Sequence, residues 1–228
     1  MQVKEMIDSR FKYFYVDSEF GPAIDVRPVP ERVLSLYKGK LPEKLLEYWK
    51  MYGFAGYGEG RFWMTDPGEY AGVLDAWLAQ TDFQGADDYH VIGRGAFGEL
   101  IIWGTRSGPS LTISSAWGMI FPTDKSRWME QGKQDFLIEA WLAGMDKEHF
   151  DEEDEDERPL FERAYRLLGP LAHDEMYGFV PAAALGGPRR LDHLQKVKAV
   201  EHLTLLSMLE PPKVMKDIVK EAKERGIW

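Results

Sequence analysis

The chain has 228 residues, carries a net charge of −10 from 28 Lys+Arg against 38 Asp+Glu, and contains no cysteine. Its length can bury a sizeable core, in one large or two small domains. The acidic balance argues against direct nucleic-acid binding, which needs a basic face for phosphates, and the missing cysteines exclude disulfides, thiolate zinc sites and cysteine nucleophiles. An acidic surface suits a basic protein partner, which it steers into contact. The N-terminal stretch lacks the apolar core of a signal peptide and no apolar run reaches membrane-spanning length, so a cytoplasmic protein with no membrane partner is expected.

Along the chain, Phe20–Pro30 is a proline-punctuated extended segment. A helix opens at Leu41-Pro42, where Leu41, Leu45, Tyr48, Trp49 and Tyr52 share one apolar face and Gly53 stands at a left-handed C-cap. Gly56, Gly58 and Gly60 then predict a flexible turn before Arg61-Phe62-Trp63-Met64. The next helix has Asp66 as N-cap, Pro67 at its first position and Glu69 as capping-box partner. Its buried stripe is Tyr70, Val73, Leu74, Trp77 and Leu78. From Tyr89 the period shortens, and Tyr89–Gly93, Glu99–Thr105 and Ser110–Phe121 read as consecutive antiparallel strands. Helices return at Asp135–Leu142, with Phe136, Ala140 and Trp141, and at Leu160–Leu168, with Phe161, Ala164, Tyr165 and Leu168. A further helix is expected over Leu194–Leu209, striped with Leu194, Val197, Val200, Leu203 and Leu206 and stopped by Pro211-Pro212. A last amphipathic helix is expected over Lys213–Arg225, with Met215, Ile218, Val219 and Ala222 on its apolar face. The fold class is α+β: an antiparallel strand meander flanked by helices, with a helical C-terminal part.

Chemistry-bearing patterns are few. Gly93–Gly98 matches G-x-G-x-x-G, but a strand follows the glycines where a dinucleotide site requires a helix, and the lysine and Asp-Phe-Gly partners of a kinase loop are absent. The pattern reads as a glycine-rich hairpin. The histidines, His90, His149, His173, His193 and His202, lack metal-binding spacing. His173, beside Asp174 and Glu175, has the neighbours of a general base but reads first as a loop hydrogen-bonding residue. Asp87 and Asp88 are adjacent and point to opposite sides of a strand. Neither a nucleophile elbow nor a P-loop occurs, so no catalytic residue, metal or cofactor is expected. Asp151–Glu157 is an unbroken run of seven acids without calcium-loop spacing, and its plain reading is a solvated linker held open by self-repulsion.

Two sets of motifs carry a resemblance. The first is Gly39-Lys40-Leu41-Pro42, Leu45-Leu46-x-Tyr48-Trp49, Tyr52-Gly53-x-x-Gly56-Tyr57-Gly58-x-Gly60 and Phe62-Trp63. It resembles the GAD-like domain of bacterial immunity proteins. The second is Leu160-Phe161, Arg163-Ala164, Leu168-Gly169-Pro170-Leu171, Asp174 through Ala182, Leu185-Gly186-Gly187 and Glu201-His202-Leu203, and it is similar to the companion immunity domain. The resemblance covers roughly residues 10 to 210 and divides the chain into a GAD-like domain (1–122), a C-terminal immunity domain (123–210) and a terminal helix (211–228). It implies an immunity protein that is not an enzyme and that binds and inhibits a DNase toxin of the type VI secretion system. A binding module for a toxin of another chemistry is the alternative, and an uncharacterised hydrolase a more distant one. On this reading Asp151, Glu152, Glu153, Asp154, Glu155, Asp156 and Glu157 form a phosphate-mimicking strip for the toxin's basic groove, flanked by Tyr57, Glu59 and Arg61.

Overall fold

A computed structural model describes residues 8–217. The first half runs α1 (Ser9–Lys12), β1 (Ile24–Arg27), α2 (Glu31–Tyr37), α3 (Glu43–Tyr52), β2 (Phe54–Tyr57), β3 (Phe62–Met64) and α4 (Pro67–Leu78). It continues through β4 (Tyr89–Gly95), β5 (Glu99–Gly104), β6 (Gly108–Ser114) and β7 (Met119–Pro122). The second half supplies α5 (Ser126–Glu130), α6 (Gln134–Ala143), α7 (Phe161–Leu168), β8 (Glu175–Phe179), β9 (Leu194–Lys198), α8 (Ala199–Leu209) and β10 (Lys213–Val214). Strands β1 to β7 pair antiparallel in chain order, and β10 joins the far edge parallel to β7, completing an eight-stranded sheet. A separate hairpin pairs β8 with β9.

The sheet is apolar on both faces because helices cover both. Along β5, Ile101 and Trp103 turn to one side and Leu100 and Ile102 to the other, as the two-residue period requires. The first face packs on α1, α3 and α6 through Phe11, Trp49, Tyr52 and Ile138. The second packs on α4 and α8 through Tyr70, Leu74, Trp77, Leu203 and Leu206. A third cluster gathers Trp63, Phe97, Phe161 and Tyr177 where α7 and the β8–β9 hairpin meet the β4–β5 turn. Each cluster draws on residues from both sides of position 122.

The expected α3 and α4 stripes are buried throughout. Asp66 caps α4, its carboxylate accepting from Gly68 N at 2.9 Å. Glu69 does not close a capping box; it pairs instead with Arg27 at 2.7 Å, tying α4 to β1. Gly53 ends α3 with φ 76°, and a Cβ there would lie 2.5 Å from the Arg27 carbonyl oxygen. The expected flexible turn at Gly56 is part of β2, where a Cβ would lie 2.8 Å from the Trp63 ring. Glycine is needed at Gly56 for that close approach.

Four further expectations are corrected. Ser110–Phe121 is two strands, broken by a 3₁₀ turn at Ser115–Trp117. The α6 stripe is Leu137, Ile138 and Leu142, whereas Phe136 is exposed and stacks on Trp128. The span Leu194–Leu209 begins as β9, because Met176 and Phe179 of β8 offer Val197 and Leu194 a cross-strand partner, and turns helical only at Ala199. Lys213 opens no helix: Lys213–Val214 pairs with Met119–Ile120, and Met215 N donates to Ile120 O at 2.8 Å. The rest of that expected helix, with Ile218, Val219 and Ala222, lies outside the described residues.

Candidate functional site

The acidic run is built into a tight loop. The Asp151 carboxylate accepts N–H groups of Glu152 (2.8 Å), Leu160 (3.0 Å) and Phe161 (2.7 Å), so it caps α7 from ten residues away. Asp154 is buried, its side chain only 3% exposed; it accepts from the backbone of Asp156 and Arg158 and from Arg163 at 2.6 Å. Burial opposes its ionisation, yet hydrogen bonds from Arg163 and Arg158 outweigh that and hold its carboxyl well below the usual carboxylate range. Backbone bonds from Leu160 N to Glu152 O and from Glu155 N to Arg189 O close the loop. The solvated-linker reading is therefore corrected: Asp151 and Asp154 hold the loop, and Glu153, Glu155, Asp156 and Glu157 face solvent. Even that outer strip is not purely acidic, since Arg158 pairs with Asp156 at 2.6 Å and Arg189 lies over Trp117.

Of the residues expected to flank this strip, Tyr57 lies in the core, whereas Arg61 lines a pocket with Asp151, Glu153 and Glu157. Tyr57 is fully buried among Phe14, Tyr15 and Phe62, and its hydroxyl has no hydrogen-bond partner among the described residues. Arg61 is also buried: its guanidinium lies 4.0 Å from the Phe161 ring centroid, donates to Gly58 O at 3.2 Å and pairs with Glu162. It joins the β2–β3 turn to α7. Glu59 alone projects outward, from a left-handed backbone with φ 60°. Apart from Glu59 the segment Phe54–Trp63 is core, because strand pairing turns its rings inward.

On the sheet side of the loop lies a cleft of about 400 Å³, formed where β5 and β6 meet the chain entering the acidic run. Phe97, Phe121 and Phe150 supply its apolar walls and Glu99, His149, Asp151 and Glu152 its titratable groups. His149 Nε2 lies 3.1 Å from Glu99 Oε1, and that hydrogen bond raises the imidazole's pKa. Burial pushes the Glu152 carboxyl up to about 7, against a hydrogen bond from Trp117 Nε1 at 3.1 Å, while Glu99 adds like-charge repulsion. Sequence reading passed over this cleft. Its one local signal was His149-Phe150 standing immediately before the acids; Glu99 comes from β5 and Trp117 from the 3₁₀ turn before β7, both distant in sequence.

The remaining sequence candidates have structural duties. Gly93–Gly98 ends β4 and turns into β5, as a hairpin. His173 bonds to Asp25, through both its backbone N–H and its Nδ1 at 2.9 Å, rather than to Asp174 or Glu175. Asp87 accepts from Ser107 and Arg106 and secures the β5–β6 turn. Among the described residues no group of His, Asp and Glu could hold a metal ion, and no helix is long and apolar enough to cross a membrane.

Fold and site together are a two-sided sheet carrying a braced acidic loop beside an aromatic cleft. Residues 12–117 match the GAD-like domain, and residues 135–210 match the C-terminal domain of the T6SS immunity protein Tdi1. These matches place the chain among the GAD-like immunity proteins of the type VI secretion system. The solved structure of Atu4351 from Agrobacterium tumefaciens superposes with a TM-score of 0.77 at 22% identity, over 86% of this chain and 88% of that one, so the fold is shared. No curated protein matches the sequence.

Proposed function

We propose that this protein binds and neutralises a DNase toxin delivered by the type VI secretion system, protecting the cell that makes both, and that it has no catalytic activity of its own. The observation that carries the reading is the immunity-domain match over residues 135–210, the part of the chain that includes the braced acidic loop. A nuclease must carry basic residues to hold phosphates, and a protein of net charge −10 complements them. Steering of this kind acts before contact and does not require the acids to be mobile. The loop also suits inhibition because its outward carboxylates are presented on a backbone already fixed, which lowers the ordering cost of association. The toxin would be met in the cytoplasm, where its DNA substrate lies.

Coexpression tests this reading. A cell poisoned by the toxin encoded beside this chain should survive when the chain is supplied, with its DNA intact. Survival with intact DNA supports the reading; DNA degradation despite abundant chain contradicts it. Survival from a toxin that leaves DNA untouched would favour a partner of another chemistry.

A further inference from the structure

The cleft has a composition that the acidic loop does not share. Its walls are the rings of Phe97 and Phe150, which are 5% and 4% exposed, with Phe121 open at the rim. Three carboxylates line the same space: Glu99, Glu152 and Asp151, the last already accepting backbone N–H groups of Glu152, Leu160 and Phe161. Anionic groups over aromatic walls select a cation that is planar, weakly hydrated and able to stack. The protein already makes this arrangement within itself: the Arg61 guanidinium lies on the Phe161 ring and pairs with the Glu162 carboxylate.

We infer that this cleft is a socket for an arginine side chain of the protein partner, with its guanidinium held between the Glu99 and Glu152 carboxylates and the walls of Phe97, Phe121 and Phe150. The inference rests on the inhibitor reading above for the identity of the partner. Lysine fits less well, because its compact and strongly hydrated ammonium gains little from ring faces. Arginine is also the residue a nuclease uses for bidentate contacts to phosphate, so its capture would remove a group needed for DNA binding.

The electrostatics of the cleft agree with a cationic occupant beside Glu152. Burial, with Glu99 and Asp151 adding like-charge repulsion, favours the protonated form of Glu152; the Trp117 hydrogen bond and the Arg189 charge oppose this. His149 is occupied by Glu99. A guanidinium arriving beside Glu152 would reverse the balance and expel its proton, so binding near pH 7 should release protons and tighten as pH rises.

The test uses L-argininamide and the Trp117 indole N–H, which donates to Glu152. In ¹H–¹⁵N spectra, with that signal assigned by Trp117→Phe, titration should shift the resonance saturably, more so at pH 8 than at pH 6. Glu99→Gln keeps the Trp117–Glu152 pair intact and should weaken the response, and adding Glu152→Gln should abolish it. A second arm measures the toxin complex by calorimetry in buffers of different ionisation enthalpy. Each glutamine variant should raise Kd by roughly thirtyfold, and Glu152→Gln should cancel the proton release. Unchanged Kd in both variants, with wild-type binding intact, overturns the socket and leaves the inhibitor reading standing. If the toxin does not bind the wild-type chain, the inhibitor reading fails, and the argininamide arm decides the socket by itself: a saturable, carboxylate-dependent shift sustains it, whereas no shift, or one unchanged in the double variant, refutes it.

Discussion

At the scale of single residues, the side chains that look most available in sequence are those the fold has used. Tyr57 has its hydroxyl buried with no partner among the described residues, so Tyr57→Phe removes a desolvated polar group and keeps the ring. The variant should be as stable as wild type or more stable by up to about 1 kcal/mol in urea unfolding; a clear loss would mean the hydroxyl is satisfied. Asp154→Asn should behave oppositely, lowering the melting temperature because it leaves Arg163 and Arg158 without their shared carboxylate. Replacing Glu155, Asp156 and Glu157 together should leave that temperature nearly unchanged, since they face solvent. The difference separates the scaffold of the loop from its outer strip. His202 adds a pH dependence. Burial lowers its pKa from 6.5, so as pH falls below 6.5 the unfolded chain takes up a proton before the folded one does. Its contribution to stability is complete above that value and is lost as pH falls toward the folded pKa. His202→Gln should flatten the dependence of melting temperature on pH between 7 and 5; an unaltered profile would exclude His202 as its source.

At the scale of elements, α4 and α8 form the cover of one sheet face, and Trp77 links them by donating its indole N–H to Leu203 O at 3.1 Å. Trp77→Ala should cost roughly 3–5 kcal/mol in chemical denaturation, from lost burial and the cavity left behind. A variant of wild-type stability would contradict the packing of α4 on α8. Elements whose signals are local were legible in sequence: the 3.6-residue stripes of α3 and α4, the Asp66-Pro67 start, and the Ile- and Trp-rich strand from Glu99. Elements fixed by distant partners were not. Leu194 and Val197 fit a helical stripe as well as a strand, and only β8 decides between them. The seven acids look solvated because two of the groups that hold Asp151 and Asp154 in the fold, Phe161 N and Arg163, sit about ten residues on, beyond the reach of any short pattern. The cleft was the least legible feature, since Glu99 and Trp117 approach Glu152 only after the sheet has formed.

At the scale of the molecule, the two family matches meet in a shared interior, with α6 packed on α1 and α3 and α8 packed on α4. The acidic loop is thereby fixed to the sheet, so an encounter with a basic partner needs little rearrangement of this chain. Association should slow as salt rises, because charges separated by more than about 10 Å are screened at 0.1 M ionic strength. Stopped-flow rates that do not vary with ionic strength would remove electrostatic steering from the account. The most direct measurement is a titration of the purified toxin domain, cleaving a defined DNA duplex, with the purified chain. The account predicts that cleavage falls linearly to zero at a fixed stoichiometry, with the chain leaving DNA intact when alone. Cleavage that persists when the chain is in excess would contradict it.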